Sequence, residues 1–206
     1  MKKTLLLCSL LLSFVLNNVN AQMMGGGSKI IQKSGDLSAF KSSKVMNATF
    51  TFDGLKVGAY NSEEEFTKNK MAEIEKSKGK AEADEWLKKW EAAKKNVFPE
   101  MFLKLFNERV SKMGLQVKEN ESSAEYTLNV NCTYIEPGYN VAFAKRPAFA
   151  AFSFNVIKNA DKSVVAELYV NNVLGSGSMG YDFSVDSRVK ESYAKAGKML
   201  GKFIAD

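Results

Sequence analysis

Tyr126-Thr127-Leu128-Asn129-Val130-Asn131-Cys132-Thr133-Tyr134 decides the fold. Tyr126, Leu128, Val130, Cys132 and Tyr134 alternate with Thr127, Asn129, Asn131 and Thr133. That is the period of a strand with one covered face and one wet face. Pro137-Gly138 ends it. Residues 148–157 and 164–173 repeat the alternation, with apolar sets Ala150, Phe152, Phe154, Val156 and Val164, Ala166, Leu168, Val170. Asn159-Ala160-Asp161-Lys162 between them reads as a hairpin loop. Three consecutive alternating strands predict an antiparallel meander. Upstream, Met46, Ala48, Phe50 and Phe52 alternate with Asn47, Thr49 and Thr51, giving an earlier strand in 45–57 with a turn at Asp53-Gly54.

Helical spacing fills the interval. Ser62-Glu63-Glu64-Glu65 is a capping box that places acids in a positive first turn. A charged stretch follows, which Gly79 interrupts. Trp86, Leu87, Trp90, Ala93 and Val97 then fall on one helical face, as do Phe98, Phe102, Leu105, Phe106, Val110 and Met113. Pro99 predicts a bend near 97–99, and Gly114 a C-terminal cap. A last helix starts near Asp186-Ser187, with Val189, Tyr193, Ala196, Leu200 and Phe203/Ile204 as its stripe and Arg188, Lys190, Lys195, Lys198 and Lys202 opposite. Ala194, Ala196, Gly197 and Gly201 would let it lie close on a sheet. The expected order is β-α-α-β-β-β-α. The expected class is α+β: a two-layer sandwich, a mostly antiparallel sheet of about four strands covered by helices, with an extra charged helical segment at 62–113.

The chain has 206 residues, 45% hydrophobic and 25% charged, the composition of a globular domain rather than a disordered or collagen-like chain. Met1-Lys2-Lys3, the apolar run 4–16 and Val19-Asn20-Ala21 read as a secretory signal peptide, residues 1–21, cleaved before Gln22. The apolar run is too short to span a bilayer, which takes about 20 residues. Removing 21 of 206 residues leaves 185. Loss of Lys2 and Lys3 takes the formal charge from +6 to +4, too spread out to suggest nucleic acid. Cys132 then stands alone, so no internal disulfide is expected. Residues 22–44, with Gly25-Gly26-Gly27-Ser28, read as a flexible arm, in which 29–31 could pair as a short edge; 45–206 read as one domain. The expected location is the periplasm or the outer membrane, or outside the cell, with no transmembrane segment after cleavage.

The chain contains no His, which removes imidazole triads and His-ligated metals. Cys132 on an apolar strand face reads as a small buried hydrophobe. Ser192-Tyr193-Ala194-Lys195 and Ser38-Ala39-Phe40-Lys41 match Ser-x-x-Lys, where Lys would serve Ser as base, but lack the motifs that complete such sites. Gly175-Ser176-Gly177-Ser178-Met179-Gly180 has glycine spacing of a dinucleotide loop without the following helix start and acid, so it reads as a loop. No catalytic, cofactor-binding or metal residue is expected. Trp86 and Trp90, four apart, read as core or, alternatively, as an aromatic platform. Together with Phe143, Phe149, Gly175 and Gly177 they are the candidate ligand or partner contacts.

Ala124-Glu125-Tyr126-Thr127-Leu128-Asn129-Val130, Val164-Val165-Ala166-Glu167-Leu168, the helix end at Met113-Gly114 and the final Ala/Gly-rich helix resemble exported bacterial α/β domains. These are the periplasmic domains of the curli-secretion lipoprotein family and the amino-terminal domain of the TolB family. The resemblance implies assembly or accessory work in the envelope and supplies no catalytic residue. The charged stretch is long for that pattern, and the lipid-attachment Cys is missing. The expectation is a non-catalytic envelope protein working through an unknown envelope protein or self-association. The alternative is a carrier of a small apolar or glycan ligand, and the last option an enzyme using carboxylates or a Ser–Lys pair.

Overall fold

The computed structural model describes residues 27–141, 144–175 and 184–206. The proposed signal peptide lies outside them, as do Phe143 and Gly177. In chain order the elements are β1 (Ile31–Gly35), α1 (Ser38–Ser42), β2 (Val45–Thr51), β3 (Lys56–Val57), α2 (Glu63–Lys78) and α3 (Lys80–Ala92). A π-helical segment, Ala93–Val97, leads without a break into α4 (Phe98–Val110). Then come β4 (Gln116–Glu119), β5 (Tyr126–Glu136), β6 (Tyr139–Val141), β7 (Ala144–Arg146), β8 (Phe149–Lys158), β9 (Val164–Leu174) and α5 (Val185–Ala205).

The sheet is mixed and seven-stranded, in the order β1-β9-β8-β5-β2-β4 with β3 also on β5, and β6 and β7 pair separately. This corrects the expectation of about four, mostly antiparallel strands. The meander β5-β8-β9 is antiparallel as expected. β2, however, lies parallel to both β5 and β4. The connection explains it: a parallel pair needs a crossover of a dozen or more residues, and α2, α3 and α4 supply one. β4 escaped the sequence reading because it has four residues, Gln-Val-Lys-Glu, of which only Val117 is buried. β1 lies in the stretch read as an arm, and its five exposed residues carry no alternation of burial.

A second correction concerns Tyr134. The β5–β8 register shifts between Cys132 and Tyr134. That bulge turns Ile135 into the core, where it is fully buried, and leaves Tyr134 only half-buried. The alternation in sequence cannot show such an extra residue.

One face of the sheet is covered. Met46, Ala48, Leu128, Val130, Cys132, Phe152, Phe154, Ala166, Leu168 and Val170 meet Phe98, Phe102, Phe106 and Val110 of α4, with Val189, Tyr193, Ala196 and Leu200 of α5. Phe98 stacks on Tyr193 at 4.7 Å between ring centroids, and Phe102 on Phe106 at 5.8 Å. Gly197 and Gly201 serve helix contact rather than sheet contact. A Cβ on Gly197 would lie 2.2 Å from the Phe102 carbonyl oxygen, and one on Gly201 2.7 Å from Arg109 Cβ. Arg188, expected on the solvent side, is buried: its Nε donates to the Pro137 carbonyl at 3.0 Å, which fastens α5 to the turn after β5.

The charged helical pair is tied down at few points. Ser62 Oγ accepts from the Glu65 N–H at 3.2 Å, and a Glu65 carboxylate oxygen accepts from the Asn61 N–H at 3.1 Å, so the capping box forms one residue out of register at its second arm. Gly79, at φ +95°, ends α2. Phe66 is the only buried residue of α2; Ala83 and Trp90 are those of α3.

Candidate functional site

The helices cover one face of the sheet; the other face is partly exposed over its middle. Over the middle of β2, β5 and β8, strand alternation points Asn47, Thr49, Thr51, Thr127, Asn129, Asn131, Thr133, Ala151, Ser153 and Asn155 outward. None carries a charge. Charges lie around this middle: Lys33 on β1, Glu167 on β9, Lys118 on β4, and Glu136 at the end of β5, paired with Arg146 at 3.4 Å. Lys33 pairs with Glu167 at 3.3 Å and lies over Tyr169, while Lys118 pairs with Glu121 at 2.6 Å. The amides and hydroxyls bind one another across strands. Asn47 Nδ2 donates to Thr127 Oγ1 at 3.2 Å, which donates to Asn159 Oδ1 at 2.8 Å. Asn129 Nδ2 reaches Thr49 Oγ1 and Thr51 Oγ1 at 3.1 and 3.2 Å, and Thr51 Oγ1 donates to Asn131 Oδ1 at 3.1 Å. These contacts hold the side chains in place and make the face a preorganised, uncharged surface.

The aromatic candidates divide. Trp90 is 1% exposed and belongs to the core. Its Nε1 donates to Glu63 Oε1 at 2.6 Å, and Lys94 Nζ donates to the same oxygen at 2.6 Å. Trp86 is half-buried and stacks on Trp90, 6.3 Å and 8° apart, with Phe66 edge-on to both. This cluster fastens α2 to α3. Phe149 stands elsewhere, against Tyr134 at 5.6 Å between ring centroids with the rings tilted by 31°. Gly175 lies near it: Phe149 pairs with Leu174, and the Gly175 N–H donates to the Ala148 carbonyl at 2.8 Å. A Cβ on Gly175 would lie 2.3 Å from the Arg188 carbonyl oxygen, so this glycine serves packing.

Ser192 and Lys195 make no hydrogen bond to each other. Lys195 Nζ donates to the Gly175 carbonyl at 3.1 Å, while Ser192 Oγ is buried without a hydrogen-bond partner. Close packing against Gly175 buries Ser192. Burial pushes the Cys132 thiol up to about 12. The neighbouring Tyr193 hydroxyl makes no hydrogen bond of good geometry, and burial pushes it well above its ordinary range. Neither group is a nucleophile near neutral pH.

The described residues also form two surface grooves. One, of about 340 Å³, lies between Ile30 before β1 and Met199, Lys202 and Phe203 of α5. The other, of about 280 Å³, opens at the β2–β4 side between Phe50, Phe52 and Glu119 on the sheet and Glu91, Lys94, Lys95 and Pro99 on the helices. Sequence reading missed its polar residues. Lys94 and Lys95 belong to the π-helical segment, whose extra residue per turn is not legible in side-chain spacing.

No known protein family and no curated protein matches the chain. Distant likenesses exist among solved structures. A PelC variant dodecamer from Paraburkholderia phytofirmans aligns with a TM-score of 0.42 and 12% identity, covering 84% of this chain and 97% of that one. A second PelC dodecamer from the same organism aligns with a TM-score of 0.41 and 11% identity, covering 82% and 96%. No function follows from these values. Among the described residues no helix is long and apolar enough to cross a membrane.

Proposed function

We propose that this is a non-catalytic protein of the bacterial envelope, exported by residues 1–21, that works by associating with copies of itself through the open face of its sheet. The observation that carries the reading is the absence of charge across the middle of the outward face, from Asn47 to Asn155 on β2, β5 and β8, in a chain that is 25% charged; Glu136, at the end of β5, is paired with Arg146. A surface that meets only water has no reason to exclude charge; the core of an interface does, because unpaired charges are costly to desolvate.

Two further points favour a second copy as the occupant. Amides and hydroxyls both donate and accept, so such a face complements itself, whereas a face of one sign repels its copy. The whole face is of interface size once its charged outer strands are counted as rim. Five strand spacings of about 4.8 Å and strands of 4 to 11 residues, at about 3.3 Å each, give roughly 600 Å² in projection, of which the uncharged middle is about half. A stable interface takes about 800 Å² of accessible surface per partner, and a pleated face exceeds its projection. The strand edges are poorer candidates. β1 carries Lys33 and a register shift, and β4 carries Lys118 and Glu119, which are the devices that discourage strand addition.

The test is the Asn129→Lys and Thr49→Lys double variant, compared with the unaltered mature chain by light scattering after gel filtration. Loss of the multimer with an unchanged circular dichroism spectrum is expected. An unchanged multimer would move the contact off this face, and a different co-purifying protein lost in the variant would replace the second copy as occupant.

A further inference from the structure

The groove at the β2–β4 side carries a second inference, independent of the open face. Its walls differ in kind. On the helical wall Lys94 is spoken for: it binds Glu63 at 2.6 Å, touches Glu91 at 3.5 Å and lies 4.8 Å over the Phe52 ring, with only 13% of its side chain exposed. On the sheet wall Glu119 sits opposite Ala48, whose side chain enters the core, so strand pairing puts Glu119 on the helix-bearing face, exposed at the edge of the sheet. Among the described residues Glu119 has no ion pair and no hydrogen-bond partner. Partial burial raises its carboxyl above the ordinary range. The floor is apolar: Phe50, Phe52 and Pro99.

We infer that this groove binds a small organic ammonium ion with an apolar body, the cation on Glu119 and the body against Phe50, Phe52 and Pro99. A partly desolvated carboxylate without a partner gains more from a cation than one in water, because the interaction is less screened. Aromatic walls favour the same charge, since their faces carry negative potential, and Lys94 already rests on one of them. With Lys94 neutralised by Glu63, the remaining charges are Glu91, Glu119 and Lys95, a net of one negative charge. The volume of about 280 Å³ suits a ligand of roughly ten heavy atoms, below the drug-sized range that starts near 300 Å³.

The same cation could be free or could be a lysine side chain of another protein. Phenethylammonium is titrated into the mature protein by NMR and calorimetry. Phenylacetate serves as the anion of similar shape, and Nα-acetyl-lysine amide as the protein-borne cation. Phenethylammonium should bind, with shifts at residues 50, 52 and 119, and phenylacetate should bind at least tenfold more weakly. Glu119→Gln should weaken phenethylammonium tenfold or more while thermal stability stays unchanged, and Phe52→Leu should weaken it less. Equal or tighter binding of the lysine amide would assign the groove to a partner's lysine. Binding of phenylacetate in preference, or affinity indifferent to Glu119→Gln, overturns the inference.

Discussion

Gly197→Ala is expected to destabilise the protein, although alanine is the better helix former. The substitution sits in the interior of α5, where alanine is worth about 1 kcal/mol over glycine. Against that, the new Cβ would lie 2.2 Å from the Phe102 carbonyl oxygen and 3.0 Å from its carbon. Backbone cannot rotate away as a side chain can, so α5 must retreat from α4 by close to an ångström. That retreat loosens the Phe98–Tyr193 and Phe152–Tyr193 contacts at 4.7 and 4.8 Å. Overpacking of this kind costs about 1–3 kcal/mol, and a backbone contact belongs at the upper end. The net loss is then about 2 kcal/mol, or roughly 4–8 °C in Tm for a domain of this size. The assay is thermal unfolding followed by circular dichroism. Two controls grade the result. Gly201→Ala meets Arg109 Cβ at 2.7 Å and the Phe106 carbonyl oxygen at 2.9 Å, a smaller overlap than at Gly197, and should cost less, while Lys198→Ala, on the exposed side, should cost nothing measurable. A rise in Tm for Gly197→Ala, as propensity alone requires, would refute the close approach of the two helices.

Other outcomes are expected at buried groups. Glu63→Ala strands the Trp90 N–H and the Lys94 ammonium together, and urea unfolding should show a loss of about 3 kcal/mol, with Glu63→Gln losing less because it still accepts from Trp90; a loss under about 1 kcal/mol for Glu63→Ala contradicts this. Tyr193→Phe removes a buried hydroxyl that lacks a hydrogen-bond partner, so stability should hold within about 0.5 kcal/mol, and a loss above about 1 kcal/mol would mean that the hydroxyl is bound after all. The Cys132 thiol is held protonated up to about 12 in the fold against an ordinary 9.0, so the folded state keeps the proton longer than the unfolded one. Stability therefore falls as pH rises above about 9, by up to about 1.4 kcal/mol per unit from this group. Cys132→Ala, whatever its stability at neutral pH, should show a shallower decline between pH 9 and 11 in denaturant titrations, and an identical slope would contradict the burial.

What the sequence made legible is what periodicity can express. The alternation in β5, β8 and β9 gave their existence, order and covered face, and the α5 stripe from Val189 to Ile204 gave the helix that packs there. Strand direction was not legible for β2, because alternation is the same in parallel and antiparallel pairs; only the length of the crossover through α2 to α4 carried the information. β4 was too short, and β1 too evenly exposed, to show any period. The β5 bulge added one residue and reversed Tyr134. Among candidate contacts, the sequence singled out Trp86 and Trp90 by type, but Trp90 and its partner Glu63 serve the joining of α2 to α3. The uncharged open face was written in the same strands as the core, in the alternate residues Thr127, Asn129 and Asn131, and its meaning emerged only when β2 set Asn47, Thr49 and Thr51 beside them. Glu119 and Lys94 come from an unseen strand and a π-helical segment, so their shared groove had no linear signature.

The central claim is association through the open sheet face, and sedimentation of the mature chain tests it most directly. A chain beginning at Gln22 is followed over a hundredfold range of concentration. A mass that rises to a fixed multiple of the 185-residue chain, and falls back to the single chain with Asn129→Lys and Thr49→Lys together, is the expected result. A single-chain mass at every concentration contradicts the account.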